Sequence, residues 1–317
     1  MGLLHQPSMS DSAPFRERLP PLPDVPDAQR GRGDVYVRYE DVTQDGRLVS
    51  RAASYAIGAA VWRDVLERHP LTPVLVGQGI LPILARLVVV VGGGPIGVRA
   101  RVRAEGAFEI VEAIDEAGKS RFRADMWADL RAPRGRTFGS APGDGEEIAI
   151  GAMWGEHVMT RPFAPPSERT VDRVPEGFGT PRRVAYVPPL RAIELPDGAR
   201  WLDDAWVEDP TPLVLGLGHT DSNQHVNSLV YPQQLEEAAL RLCHRKGLPT
   251  DRFVSRFEMA YRKPSFAGDV LRLRVRAYAR SLGGVELVGV MGVFATEAEH
   301  RGELGKARVF GSVELSP

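Results

Sequence analysis

The chain has 317 residues, room for two cores of ordinary domain size. Its 43% apolar content is that of a globular protein, and its net charge of −1 leaves no whole-protein field to draw nucleic acid or a membrane surface. A single cysteine, Cys243, excludes an intrachain disulfide framework and a cysteine-rich zinc site.

Residues 1–34 are rich in proline (Pro20-Pro-Leu-Pro-Asp-Val-Pro26) and read as a tail or an adhering arm. They show no charged segment followed by an apolar one, so no secretory signal is expected. No later run approaches the ~18 apolar residues of a membrane span, and a cytoplasmic location follows as the expectation. Lysine is confined to Lys119, Lys246, Lys263 and Lys306 while arginine is abundant, which hints at a GC-rich bacterial genome. Residues 35–165 form a first half with one long helix, about Ala53–Arg68, ended by His69-Pro70. Its small residues Gly58, Ala59 and Ala60 either leave room for a ligand tunnel or allow close packing. Strand patterns follow at Ala85–Val91, Val98–Ala104, Phe108–Ile114 and Arg121–Leu130, with a turn at Glu116–Lys119. Gly92-Gly-Gly-Pro95 follows a strand but opens no helix, so it is a loop and not a nucleotide fingerprint. Residues 166–200 are a proline-rich linker.

Residues 201–317 repeat the pattern. A helix is expected from about Ser228 to Lys246, with Leu235, Ala238, Ala239 and Leu242 on one face. Pro232 is tolerable near its first turn, and Gly247 stands where a left-handed cap would close it. Cys243 inside this helix reads as a small half-buried apolar residue. Strands follow at Ser255–Tyr261, Leu271–Ala277, Val285–Thr296 and Lys306–Leu315. Val98-Arg-Ala-Arg-Val-Arg-Ala104 matches Leu271-Arg-Leu-Arg-Val-Arg-Ala277, each alternating apolar residues with arginine as a half-buried strand does. The arginines 99, 101, 103, 272, 274 and 276 either face solvent or meet an acidic or phosphate-bearing partner. Each half therefore reads as a long helix followed by antiparallel strands, an α+β arrangement in which a sheet wraps one buried helix.

The segment with the most chemistry is His219-Thr-Asp-Ser-Asn-Gln-His-Val-Asn-Ser-Leu-Val-Tyr231, followed by Glu236 and Glu237. It sets Asp221, Asn223, His225 and Asn227 at alternating positions just ahead of a helix start. Together with the element order, this D-x-N-x-H-V-N-x-x-x-Y spacing resembles the acyl-ACP thioesterases, which carry two hot-dog halves in one chain. The resemblance implies a double hot-dog fold and hydrolysis of an acyl thioester carried by acyl carrier protein or CoA. It implies no cofactor and no metal. It is compatible with a monomer, since one chain holds both halves, or with a homodimer. Asn223 and His225 fall on the family's catalytic Asn and His, Asp221 on its acidic partner, and Glu237 on its helix glutamate. Asn227, Tyr231 and Ser265 are implied as substrate-side residues. Where plant-type enzymes have a glutamate and a cysteine after a Tyr-Arg strand end, this chain has Pro264 and Ser265.

The chemistry fits the residue types. His225 brings an imidazole, the side-chain type suited to general-base work. Asp221 either orients that imidazole or acts on water, and Asn223 either offers its amide to the carbonyl or holds the water. Backbone N–H groups from Asn227 to Val230 are the expected oxyanion donors. Glu237 can be a base only if it is buried beneath the helix start. The same residues also have structural readings: Asn227 as a helix cap and Asp221 and Asn223 as turn formers. The first half's counterpart, near Asp41–Leu48, has neither the Asn nor the His, so one site per chain is expected, with the first half as a pocket wall. His157 and His219 lack the spacing of metal ligands. Two alternatives stand beside the thioesterase reading. One is a hot-dog dehydratase or hydratase acting on a hydroxyacyl or enoyl thioester; His69-Pro-Leu-Thr-Pro73 resembles the dehydratases' His-Phe-Pro stretch but follows a helix instead of preceding one. The other is a non-catalytic acyl-binding protein, suggested by Pro264 and Ser265. Chain length and the choice between the two carriers are not legible.

Overall fold

The computed structural model describes residues 13–171 and 180–317. The chain divides into two compact units, residues 1–83 with 89–185, and residues 84–88 with 186–317.

The first unit contains β1 (Arg30–Val35), β2 (Leu81–Val91, of which residues 84–88 count with the second unit), β3 (Val102–Ile114), β4 (Ser120–Pro133), β5 (Glu147–Thr160) and β6 (Arg182–Ala185). β1, β3, β4 and β5 are antiparallel neighbours in that order, and β6 adds in parallel to the end of β3. β3 and β4 are joined by the expected turn, in which Asp115 Oδ1 accepts from Ala117 and Lys119 N–H and Gly118 takes φ +78°. β3 is one strand where the alternation suggested two, and β5 was not foreseen. Residues 98–101 are not strand at all. Local alternation marks a strand only where a neighbour exists, and pairing begins at Val102, opposite Val35.

The helix expected over Ala53–Arg68 is a broken helical stretch: Ser50–Ala53, Tyr55–Ile57, a π turn over Gly58–Arg63 and a 3-10 turn over Leu66–Arg68 that ends at His69 as predicted. The reason for its small residues is the crossing of β1. A Cβ on Gly31 would lie 2.2 Å from the Ala60 carbonyl oxygen, and one on Gly33 2.6 Å from the Ala59 backbone. Close packing, not a tunnel, uses Ala59 and Ala60.

Two boundaries need correction. Residues 30–34 of the tail are strand, and Arg16 forks onto Asp129 with two bonds of 2.7 Å while Trp127 Nε1 donates to the Pro20 carbonyl, so the arm adheres. Of the linker 166–200, residues 172–179 lie outside the described residues, but Arg182–Ala185 is β6, held also by Arg182–Glu109 and Arg183–Glu112 pairs.

The second unit contains β7 (Arg200–Trp201), β8 (Val207–Glu208), β9 (Leu213–Val214), β10 (Phe253–Tyr261), β11 (Val270–Leu282), β12 (Val285–Thr296) and β13 (Val309–Ser316). The order β10-β13-β12-β11 is antiparallel throughout, and β7, β8 and β9 are short edge pieces along β11. Gly283 and Gly284, both at positive φ, make the two-residue hairpin turn between β11 and β12. The helix Val230–Arg245 packs on this sheet with Tyr231, Leu235, Ala238, Ala239 and Leu242 buried. Gly247, at φ +66°, closes it as expected: its N–H donates to the His244 carbonyl and that of Leu248 to Cys243. Two arginines of the β11 stripe are paired or stacked. Arg272 meets Glu208 and Glu297, and Arg276 lies 3.8 Å over the Trp201 ring.

One buried group in the first unit has a pH consequence. Arg123 serves two carboxylates at once, Asp125 at 2.8 Å and Glu156 at 2.8 Å, all three buried. One cation cannot neutralise two acids, and burial pushes Asp125 up to about 7. An unfolded chain releases that proton near pH 4, whereas the native protein keeps it to about 7. Native protein thus binds more protons across this window, and stability falls as pH rises through it. Denaturant unfolding from pH 4 to 7 is expected to show a shallower fall in Asp125→Asn than in the natural protein; equal slopes would contradict this assignment.

Candidate functional site

The segment 216–230 forms a closed turn leading into the helix. Leu217–His219 is a 3-10 turn, and Thr220 bridges Val226 in antiparallel fashion. Asp221 N–H donates to the His225 carbonyl (3.1 Å), Gln224 N–H to that of Asp221 (3.0 Å), and Asn227 N–H to that of His219 (2.9 Å). The turn needs a residue in the left-handed region, and Gln224 takes it at φ +65°. For a residue with a Cβ this costs about 1–2 kcal/mol. Outside contacts hold the turn in place: Val226 N–H donates to the Ser265 carbonyl (2.8 Å), and the Tyr261 hydroxyl donates to the Ser228 carbonyl (3.0 Å).

The same backbone occurs in the first unit. Tyr39–Asp41 is the 3-10 turn, and Val42 bridges Leu48. Thr43 N–H donates to the Arg47 carbonyl (2.9 Å), Gly46 N–H to that of Thr43 (2.9 Å), and Val49 N–H to that of Asp41 (2.8 Å). Gly46, at φ +88°, stands where Gln224 stands. Thr43, Asp45, Arg47 and Val49 thus occupy the places of Asp221, Asn223, His225 and Asn227. This duplication lies in the backbone; the arginine match between residues 98–104 and 271–277 is out of register with it, since β3 begins at Val102 and β11 at Val270.

Asp221, Asn223, His225 and Asn227 are brought together in this one turn. Asp221 spends its carboxylate on the turn, accepting from Asn223 N–H (2.9 Å) and, more weakly, from the Asn227 side-chain amide (3.5 Å). The orienting bond from Asp221 to the His225 imidazole is therefore not formed here. Asn227 acts two residues before the cap position, Leu229, and not as the cap: its Oδ1 accepts from Leu229 N–H (2.9 Å) and its carbonyl from Val230 N–H (3.1 Å). Of the four N–H groups from Asn227 to Val230, three are thereby occupied. That of Ser228 has no acceptor among the described residues, and it lies just ahead of the positive end of the helix. Asn223 is exposed and His225 half-buried.

Tyr231 is buried, edge-on to Tyr261 (5.9 Å between ring centres) and to Phe294 (5.3 Å), so it is part of the core. Burial raises its phenol, against the effect of the neighbouring Ser265 hydroxyl. Ser265 is fully buried and touches the turn through its carbonyl. Glu237 does not join the group: its side chain is 45% exposed, lies 3.9 Å from Arg241 and accepts from Gln233 (3.3 Å). The burial that a base there requires is missing. Tyr261 was not singled out from sequence; its position at the end of β10, one residue before Arg262, is the available signal.

Two other histidines, His219 and His157, have structural roles. His219 Nδ1 accepts the Gly216 N–H (2.9 Å), as Asp41 Oδ2 accepts that of Arg38 (3.0 Å) in the first unit. His157 is buried edge-on to Trp62 (5.5 Å), and burial pushes it down to about 4. Among the described residues, no three His, Cys, Asp or Glu side chains are placed to hold a metal ion. Among the described residues, no helix is long and apolar enough to cross a membrane.

No family model matches this chain, and no curated protein matches it in sequence. Solved structures do match. A protein provisionally named an oleoyl thioesterase, from Lactobacillus plantarum, superposes with a TM-score of 0.58 at 13% identity, over 92% of this chain and 97% of its own. The 12:0-ACP thioesterase from Umbellularia californica gives a TM-score of 0.51 at 16% identity, over 91% and 98%. At such identities the likeness is one of fold, and the fold of this chain is the double hot-dog.

Gly46 shows that the turn favours glycine where the second unit has Gln224. Gln224→Gly is expected to raise unfolding free energy by about 1 kcal/mol by removing left-handed strain, measured by denaturant titration. A loss of stability would mean that the Gln224 side chain supports the turn.

Proposed function

We propose that this protein hydrolyses an acyl thioester to a free acid and a thiol at the turn 219–228 of its second unit. One observation carries the reading. Two turns share a backbone, and one of them alone holds an imidazole and a carboxamide, ahead of a long helix. The double hot-dog fold supports it, because the named neighbours are thioesterases.

His225 takes a proton from water as the water oxygen attacks the carbonyl carbon. The carbonyl electrons collect on oxygen, beside the Ser228 N–H and the helix dipole. Asn223, exposed at the tip, either donates its amide to that oxygen or holds the water. Collapse reforms the carbonyl and expels sulfur, which takes the proton back from the imidazolium. Asp221 acts by keeping the turn closed. Glu237, paired with Arg241, takes no step in this sequence of events. Acyl carrier protein or CoA would bring the acyl group, within fatty-acid metabolism of a bacterial cytoplasm.

The test is thiol release from panels of acyl-CoA and acyl-ACP substrates of varied chain length. His225→Ala is expected to lower kcat by about 10²–10⁴-fold and Asn223→Ala by about 10²-fold or more, with Glu237→Gln costing less than either. Wild-type rates in His225→Ala and Asn223→Ala would sink the assignment. Hydration of an enoyl thioester without thiol release would point to a hydratase, and acyl binding without turnover to a binding protein.

A further inference from the structure

We infer that Tyr261 is a positioning residue of this site, clamping the peptide that follows the free Ser228 N–H; the inference rests on the thioesterase reading above. The Tyr261 hydroxyl donates to the Ser228 carbonyl at 3.0 Å. Ser228 thus has its carbonyl held and its N–H open, and the two groups flank the same α-carbon. An oxyanion donor acts only if it is held in place before the charge develops, because reorientation during the reaction forfeits its effect.

The clamp has its own support. Tyr261 stands edge-on to Tyr231, and Tyr231 edge-on to Phe294 of β12, so the phenol is fixed from the sheet side. Burial, and after it the neighbouring Tyr231, raise the Tyr261 phenol above its ordinary range. It therefore keeps its proton and remains a donor at any working pH. A second tie, from the loop that follows β10, runs from Val226 N–H to the Ser265 carbonyl and holds the other side of the turn.

The first unit serves as an internal control. Its strand β2 ends on Val91, which has no hydroxyl to offer, and its turn is tied differently, by Ile96 N–H donating to the Gly46 carbonyl. The phenol clamp thus accompanies the turn with Asn223 and His225 and not its copy with Asp45 and Arg47.

Tyr261→Phe tests this, since it keeps the ring and removes one oxygen. Two readouts are taken on the full-length protein: thioester hydrolysis, and amide hydrogen exchange of peptides spanning 219–231. Exchange there is expected to become about fivefold faster, the effect of losing one hydrogen bond of ordinary net strength, with the β11–β12 hairpin unchanged. The kcat is expected to fall by about 100-fold, as for a slightly misplaced catalytic group, with KM and the pH profile retained. Unchanged exchange overturns the clamp. Faster exchange with wild-type kcat overturns the positioning role. A rise in KM at constant kcat overturns it too, in favour of substrate binding. If the natural protein releases no thiol from any substrate, the thioesterase reading fails and the positioning role with it, an outcome told apart from failure of the clamp alone by the exchange measurement.

Discussion

The closed turn from Thr220 to Val226 is the constraint on which the site depends. It is held by backbone: the Asp221–His225, Gln224–Asp221 and Asn227–His219 hydrogen bonds close it, with the side chains of Asp221 and Asn227 in support. A turn closed in this way does not need the side chains at positions 223 and 225. The first unit demonstrates this by building the same turn with Asp45 and Arg47, which pair with each other. A scaffold indifferent to its tip residues can carry chemistry in one copy and none in the other. The cost is visible at Gln224, which accepts a left-handed backbone that the other copy gives to Gly46.

Much of this was legible in the sequence. The helix Val230–Arg245, its Gly247 cap and its buried face follow from 3.6-residue periodicity and cap chemistry, both local properties. The strands β10 to β13 are marked by alternation or by apolar runs between glycine turns. The first unit was read less well, because its architecture is set by contacts distant in sequence. Its helical stretch breaks where Gly31 and Gly33 cross Ala60 and Ala59, a meeting that no local pattern announces. β5 carries buried Glu156 and His157 among its apolar residues, and its charge is stabilised by Arg123 of β4, so its alternation is masked. Arginine alternation in residues 98–104 suggested a strand, but those residues before Val102 have no partner.

The site shows the same division. Residue types and spacing located Asp221, Asn223, His225 and Asn227, which the turn gathers. They did not separate support from chemistry. That separation comes from hydrogen-bond partners: Asp221 and Asn227 are engaged with the backbone of the turn, whereas Asn223 is exposed and His225 half-buried. Glu237 has the expected spacing from Tyr231, yet helix geometry turns it to the side of Gln233 and Arg241. Motif reading offers the Ser228 N–H only as one of four candidate donors, and it does not single out Tyr261, whose role depends on strand β10 meeting the turn. Fold likeness at 13–16% identity adds the double hot-dog frame but assigns no role to any of these groups.

The central claim is that the tip residues of the turn, acting on a backbone that both copies share, decide which copy carries chemistry. The measurement that tests it most directly transfers the first unit's tip onto the second, combining Asp221→Thr, Asn223→Asp, Gln224→Gly and His225→Arg. Thermal unfolding and thioester hydrolysis are then followed on the same preparation. The account predicts a cooperatively folded protein that has lost hydrolysis. A folded variant that hydrolyses the thioester at the natural protein's rate would contradict it.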